Sequence, residues 1–188
     1  MRTIFLRMFG RPRGILGRLG GIIMARTNAD CGAWVTDLLE IGPCDSVLEV
    51  GFGPGVIIQR LSKLALEGHV AGIDPSEAMV EQARARNAIG IKGGLVDLRR
   101  GSVESLPFDD NTFDKALAVN SMQVWPDPNA GLTEIRRVMK PGAGVAFGFT
   151  PYSGQQNKGL TEILEAAGFT KATVVERDNR FCALALKP

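Results

Sequence analysis

Three glycines at alternate positions, Gly51, Gly53 and Gly55, follow a carboxylate, Glu49, at the end of the short apolar run Ser46–Val50. Glycines so spaced let the chain turn with positive φ and let a ligand approach the backbone with no Cβ in the way. A strand, a glycine loop and a helix at the carboxyl edge of a parallel sheet form a common site for nucleotide-like ligands. Three ligand chemistries compete for it. A phosphate loop needs GxxxxGK followed by Ser or Thr, and no register of this segment supplies that. A dinucleotide loop needs GxGxxG, and Val56 stands where the third glycine belongs. A pyrophosphate would also face the negative charge of Glu49. A cationic ligand reverses that sign, because the same carboxylate attracts it.

A second acid, Asp74, closes the apolar run His69–Ile73 and is followed by Pro75 and Ser76. Ser76 is a good helix N-cap, and Glu77 puts negative charge at the positive end of a helix expected to run to about Asn87.

In this setting the segment Glu49–Gly55, EVGFGPG, resembles the first motif of class I methyltransferases, (D/E)xGxGxG. Their cofactor, S-adenosylmethionine, carries a sulfonium and an ammonium, which agrees with the sign argument at Glu49. Asp74, in GIDPSEAMVEQA, resembles the acid with which that family grips both ribose hydroxyls, a charge-assisted match. Met79 stands where such proteins place an apolar residue, and Pro75 is placed to flank the adenine. Gly101–Glu104 followed by LPFDDNTFD resembles the family stretch GDAxxLPFxDxxFD. Leu117–Pro128 resembles the fourth-strand edge, and Glu134–Gly148 the late KPGG element.

The resemblance spans residues 44–186 and is nearest to the small ubiquinone/menaquinone-biosynthesis-type enzymes. It implies cofactor contacts from Glu49, Gly51, Phe52, Gly53, Gly55, Asp74, Pro75, Met79, Ser102, Val103, Glu104 and Asn120, with S-adenosylhomocysteine as product. One departure stands out. The family has an acid at the position of Ser102, bonded to the adenine amino group. Either the Ser102 hydroxyl accepts that bond without charge, or Glu104 swings in.

The implied reaction is an in-line attack of an acceptor on the sulfonium methyl. The cofactor supplies the reactive bond and the protein aligns the reactants, an effect that can lower a barrier by roughly 7–11 kcal/mol. Ser121, Gln123, Trp125 and Tyr152, past the fourth and fifth strands, are the candidates for the substrate side. No catalytic base is assigned, since the chain holds one histidine, His69, and one tyrosine. An amine, thiol or stabilised carbanion acceptor needs none. The other reading is a cofactor-binding but catalytically degenerate subunit of a complex. Retention of Glu49, the glycine loop and Asp74 together favours activity.

The elements that must position these residues alternate regularly. Strands are expected at Ser46–Val50, His69–Ile73, 94–99, Phe113–Val119 and Gly144–Thr150, with helices over 54–66, from Ser76 to Asn87, over Pro128–Met139 and over 157–167. Two further strands, Thr170–Glu176 and Asn179–Leu186, meet at a tight Arg177–Asp178 turn. The expected fold class is α/β: a Rossmann-like, seven-stranded, mostly parallel sheet with an antiparallel last strand and helices on both faces. With 188 residues, 45% hydrophobic and 22% charged, the chain suits one domain with an adequate core.

That domain is assigned to residues 44–188, and residues 1–43 to a basic arm and lid helices. The net charge of +2 is uneven: six arginines and no acid lie in residues 1–29, leaving 16 basic against 20 acidic residues elsewhere. The arm, over residues 1–28, is a candidate for peripheral contact with an anionic membrane and hence for admitting a lipid-like acceptor. Its short apolar runs, broken by Gly10, Pro12 and Arg18, argue against a secretory signal. The acidic body argues against nucleic acid. Cys31, Cys44 and Cys182 have no metal-ligand spacing, so no metal is expected, and the predicted location is the cytoplasm.

Overall fold

Val47, Leu48, Glu49 and Val50 are all buried, and with Ser46 they form the central strand β1 (Ser46–Val50). The computed structural model describes residues 28–188. The arginine-bearing arm, apart from Asn28, therefore lies outside the described residues. Parallel partners flank β1: β2 (His69–Asp74) on one side and β4 (Phe113–Val119) on the other. Strands covered on both faces read as continuous apolar runs, which is the pattern of HVAGID and FDKALAV.

The sheet is completed by β3 (Val96–Arg100), β5 (Met139–Phe149), β6 (Thr170–Arg177) and β7 (Arg180–Leu186). Its order is β3-β2-β1-β4-β5-β7-β6, with β7 antiparallel to both neighbours and the rest parallel where they pair. This is the mostly parallel Rossmann-like sheet expected from the alternation, in the arrangement that the resemblance to class I methyltransferases implies.

Helix α1, described over residues 28–38, lies on one face with α2 (Val56–Leu64) and α3 (Glu77–Arg86). Cys31, Val35 and Leu39 join Ile58, Leu61, Val80 and Ala83 in one buried cluster against Val47, Val70 and Ala146. Helices α5 (Pro128–Val138) and α6 (Leu160–Ala166) cover the other face, where Leu132, Ile135 and Leu164 pack with Phe113, Phe147 and Phe149. Between them in sequence, α4 (Ala88–Lys92) is a short helix that the periodicity did not show. Fully burying each such leucine or phenylalanine contributes about 1.5–3 kcal/mol.

Two boundaries differ from expectation for identifiable reasons. The helix α5 ends at Val138 and β5 begins at once, at Met139, because Met139 pairs with Phe113 before a bulge carries Lys140–Gly142 past the ladder. Residues Lys140–Pro141–Gly142 look like a stop in sequence but ride on an edge irregularity, where proline is tolerated. Helix α2 begins at Val56 and not near Pro54, since Gly55 at its N-cap holds the left-handed φ of 76°.

Arg137, near the end of α5, ties the segment before β4 to the fold. Its guanidinium donates to Glu134 through Nε and Nη2 (2.7 and 2.9 Å), to Asp110 (2.7 Å), and to the carbonyls of Phe108 and Leu106 (2.9 and 3.0 Å). Among the described residues, no helix is long and apolar enough to cross a membrane.

Candidate active site

The sheet order reverses at β1, which continues outward to β2 on one side and to β4 on the other. In open α/β sheets ligands bind in the crevice outside the carboxyl ends of the strands at such a point. Here that crevice is built by the loops after β1, β2, β3 and β4.

The glycine loop leaves β1 as a sharp bend. Gly51, Gly53 and Gly55 have φ of 77°, 51° and 76°, a region that side chains disfavour. At Gly51 space forbids a side chain as well, because a Cβ would lie 2.1 Å from Ser121 Oγ. The bend is stitched to β2: Gly51 N–H donates to the Ile73 carbonyl at 2.8 Å, and Gly53 N–H donates to Asp74 Oδ2 at 2.9 Å. The other Asp74 oxygen, Oδ1, accepts from Ser76 N–H at 2.8 Å. Ser76 occupies the N-cap position of α3 as expected, but its side chain makes no capping bond.

Both carboxylates are almost sealed, with Glu49 1% and Asp74 6% exposed. Burial holds the Glu49 carboxyl well above the ordinary carboxylate range. The nearby charge of Asp74 adds to this, and the Ile58 N–H opposes it. Burial likewise pushes Asp74 up to about 6, against the N–H bonds from Ser76 and Gly53. Glu49 Oε2 is buried without a hydrogen-bond partner. A buried carboxylate oxygen without a donor is costly, and such groups concentrate at functional sites.

The structure brings most of the sequence candidates together. Gly51, Gly53, Asp74, Pro75, Met79, Ser102, Val103, Asn120, Ser121 and Trp125 all line the cleft. Glu49 and Phe52 line a second, smaller hollow that shares Gly51 and Gly53 with the cleft, together with Asn28 and Val119. Gly55 lines neither; a Cβ there would press on Ala83 and Asn87 of α3 and its cap. Glu104 stands behind Ser102, accepting its hydroxyl proton at 3.0 Å. Gln123 and Tyr152 are outside the cleft lining, and Tyr152 is 87% exposed.

Sequence reasoning did not single out several lining residues. Val50, Ile73, Ser76, Gly101, Val124 and Pro126 border the cleft through adjacency to the motifs. Asn28 had no signal at all in one sequence, yet its Oδ1 accepts from Asn120 Nδ2 at 2.8 Å. Trp125 is oriented by its indole N–H, which donates to Ser121 Oγ at 2.9 Å, and by an edge contact with Phe147.

Comparison with known proteins agrees with this geometry. Residues 48–147 match the family described as "Methyltransferase domain". The chain is 34% identical to the uncharacterized methyltransferase YdaC of Bacillus subtilis, over 90% of this chain and 98% of that one. It is 38% identical to a demethylmenaquinone methyltransferase of Symbiobacterium thermophilum, over 53% of this chain and 40% of that one. Among solved structures, a SAM dependent methyltransferase from Aquifex aeolicus superposes with a TM-score of 0.75 at 28% identity, covering 84% of this chain and 89% of that one.

Proposed function

The chain belongs to the methyltransferase domain family and is an S-adenosylmethionine-dependent methyltransferase, and on that premise we propose that it methylates a small apolar acceptor of the quinol type. The observation that carries the cofactor placement is the series of environments around the glycine loop, from the hollow that holds Glu49 to the cleft that holds Asp74. Glu49, with its unpartnered buried oxygen, suits the cationic methionine end. Asp74 presents a carboxylate to a diol, and the apolar side chains of Ile73, Pro75, Met79 and Val103 suit a flat base. The donor set therefore fits the cofactor, and it suits a phosphate poorly.

When bound, S-adenosylmethionine supplies an activated methyl group that an acceptor nucleophile takes in line, leaving S-adenosylhomocysteine. The residues of this chain bind, orient and shield. Glu49 and the glycine loop hold the charged end. Asp74, fixed by two backbone N–H groups, fixes the sugar. Asn120 is placed near the reacting end, at the close of β4, beside Ser121 and Trp125. Alignment of this kind is the main contribution a protein makes when the cofactor carries the chemistry.

The acceptor reading rests on the mouth of the cleft. Val124, 47% exposed, lies there with Trp125 and Pro126, forming an apolar and aromatic rim. Such a rim suits a hydrophobic ring and gives a hydrophilic amine little to bind. Similarity to a demethylmenaquinone methyltransferase supports the same class.

The test is S-adenosylhomocysteine formation against a panel of hydroquinones, phenols, amines and lipids. Turnover with hydroquinones is expected. Turnover confined to water-soluble amines would overturn the acceptor reading.

A further inference from the structure

We propose that the groove between the β6–β7 turn and the loop 155–158 is an anion subsite for the acceptor, which therefore carries a carboxylate or phosphate at the end remote from its ring. The inference rests on the acceptor reading above and adds a charged far end to it. The groove belongs to the same edge of the sheet as the cleft. Strands β5 and β6 both run antiparallel to β7, so β6 ends at the carboxyl edge, as β4 and β5 do. Phe149 pairs with Phe181, and Arg180 pairs with Arg177 just beyond. Asn120, bonded to Thr150, stands two strands from Arg180, about 10 Å at the usual strand spacing.

The charges that line the groove do not cancel. Lys158, Arg177 and Arg180 meet Glu176 and Asp178 there. Both acids are engaged, Asp178 with Arg177 at 3.4 Å and Glu176 with the Asn157 amide. Among the described residues, the side chains of Lys158 and Arg180 have neither an ion pair nor a hydrogen bond. Arg177 and Arg180 are direct cross-strand partners, closing a two-residue turn in which Asp178 and Asn179 have φ of 49° and 62°. Like charges directly opposite each other destabilise a sheet, and one acid against two arginines leaves that opposition standing. An anion held in the groove offsets it, and a cation is repelled.

Arg180 also connects the groove to the reacting end. It shares a strand face with Cys182, two residues on, and Cys182 packs in the cluster that includes α1. The charge of Arg180 reaches the Cys31 thiol in the first turn of α1, and in that same turn Asn28 bonds Asn120. Arg180 is thus a specificity residue for the acceptor, with Lys158 as the second cation.

Two probes test this: a hydroquinone whose alkyl chain ends in a carboxylate about 10 Å from the ring, and the same compound ending in a carboxamide. Methylation of each is followed with S-adenosylmethionine. For the carboxylate, kcat/KM should be about fivefold higher or more, through KM, and the excess should shrink with added salt. In Arg180→Gln, and further in the double variant with Lys158→Gln, the ratio should fall toward about one, while kcat/KM for the carboxamide stays unchanged. Removing one of two opposed arginines does not weaken the hairpin, so the variants fold. Inorganic phosphate should compete with the carboxylate probe and leave turnover of the carboxamide alone. Equal use of the two probes by the wild type, or a preference that survives the double variant, would overturn the subsite. Phosphate that binds in calorimetry without competing would also overturn it, since the anion site would then stand apart from the acceptor. If neither probe is methylated, the quinol reading has failed; calorimetry of both probes on the complex with S-adenosylhomocysteine then decides the subsite, and equal affinities would overturn it.

Discussion

Asn120 and Thr150 clasp each other across the ends of β4 and β5: the Asn120 carbonyl accepts the Thr150 N–H at 2.8 Å, and its amide donates to the Thr150 hydroxyl at 2.9 Å. The same amide reaches Asn28 at the start of α1, so one side chain joins two strand ends to the first described helix. Asn120 does this from a left-handed φ of 49°, a conformation that asparagine tolerates better than most residues. Asn120→Ala should lose these bonds and retain the strain, costing about 2–3 kcal/mol. Asn120→Gly should lose the same bonds without the strain and be about 1 kcal/mol more stable than the alanine variant. Urea unfolding of both variants measures the difference, and equal stabilities would contradict the strain argument.

Gly51 faces a sharper restriction. Its φ of 77° and the 2.1 Å approach of Ser121 Oγ to any Cβ leave no place for alanine. Ser121 cannot simply turn away, because it also holds the Trp125 indole at 2.9 Å. Gly51→Ala should weaken cofactor binding by a hundredfold or more, about 2.7 kcal/mol, and should shift tryptophan fluorescence through Trp125. Calorimetry with S-adenosylhomocysteine would sink this account if affinity stayed within a few-fold.

Much of this was readable in advance, and the limits have physical causes. Strands such as β4 were placed to the residue because an apolar run bounded by Asp–Asn and Asn–Ser turns admits few alternatives. Gly51, Gly53 and Asp74, which line the cleft, could be singled out because the reasoning for them needs only local spacing. The start of β5 was hidden because Met139 looks like the continuation of an amphipathic helix, and its pairing with Phe113 is a long-range fact. The bond from the Asp127 N–H to Glu104 was hidden for a similar reason, since Asp127 lies 23 residues beyond Glu104. Asn28 was invisible because its role exists only once α1 meets the sheet.

Arg137 offers a test of the scaffold that does not involve the cofactor. Its five donors engage two carboxylates and two carbonyls, a planar fork that lysine cannot reproduce. Arg137→Lys keeps the charge and loses the fork. It should cost about 1–2 kcal/mol, since the Leu106 and Phe108 carbonyls lose their donors. Denaturant unfolding checks this, and a change below about 0.5 kcal/mol, the range of ordinary surface substitutions, would show that the fork adds little.

Glu49 should separate binding from stability. Glu49→Gln retains an oxygen for the Ile58 N–H and removes a charge whose burial is unfavourable. The ligand-free variant should therefore melt no lower than the wild type. Its affinity for S-adenosylmethionine should drop at least tenfold, about 1.4 kcal/mol, with the loss of the opposite charge. Thermal melts with and without ligand resolve the two effects. A variant that binds as tightly as the parent would remove Glu49 from the cationic end of the site.

The pH dependence follows from the raised carboxyls. Burial lifts Asp74 from an ordinary 3.8 to about 6 in the folded, ligand-free protein. A carboxyl raised on folding favours the folded state fully below its unfolded value, and that contribution is lost as pH rises through the folded value. For Asp74 the loss falls between about pH 4 and pH 6 and amounts to about 3 kcal/mol; Glu49, raised by burial too, acts with the same sign. A ligand with its cation at Glu49 and its diol at Asp74 favours both groups ionised, so its affinity runs the opposite way, rising with pH through about 6. Binding below that pH should release protons. Calorimetry of S-adenosylmethionine in buffers of different ionisation enthalpy at about pH 5.5 should register that release, and the ligand-induced rise in melting temperature should grow toward neutral pH. Affinity independent of pH across this interval, with no proton exchange, would mean that Glu49 does not meet the cofactor's charge and Asp74 does not hold its diol.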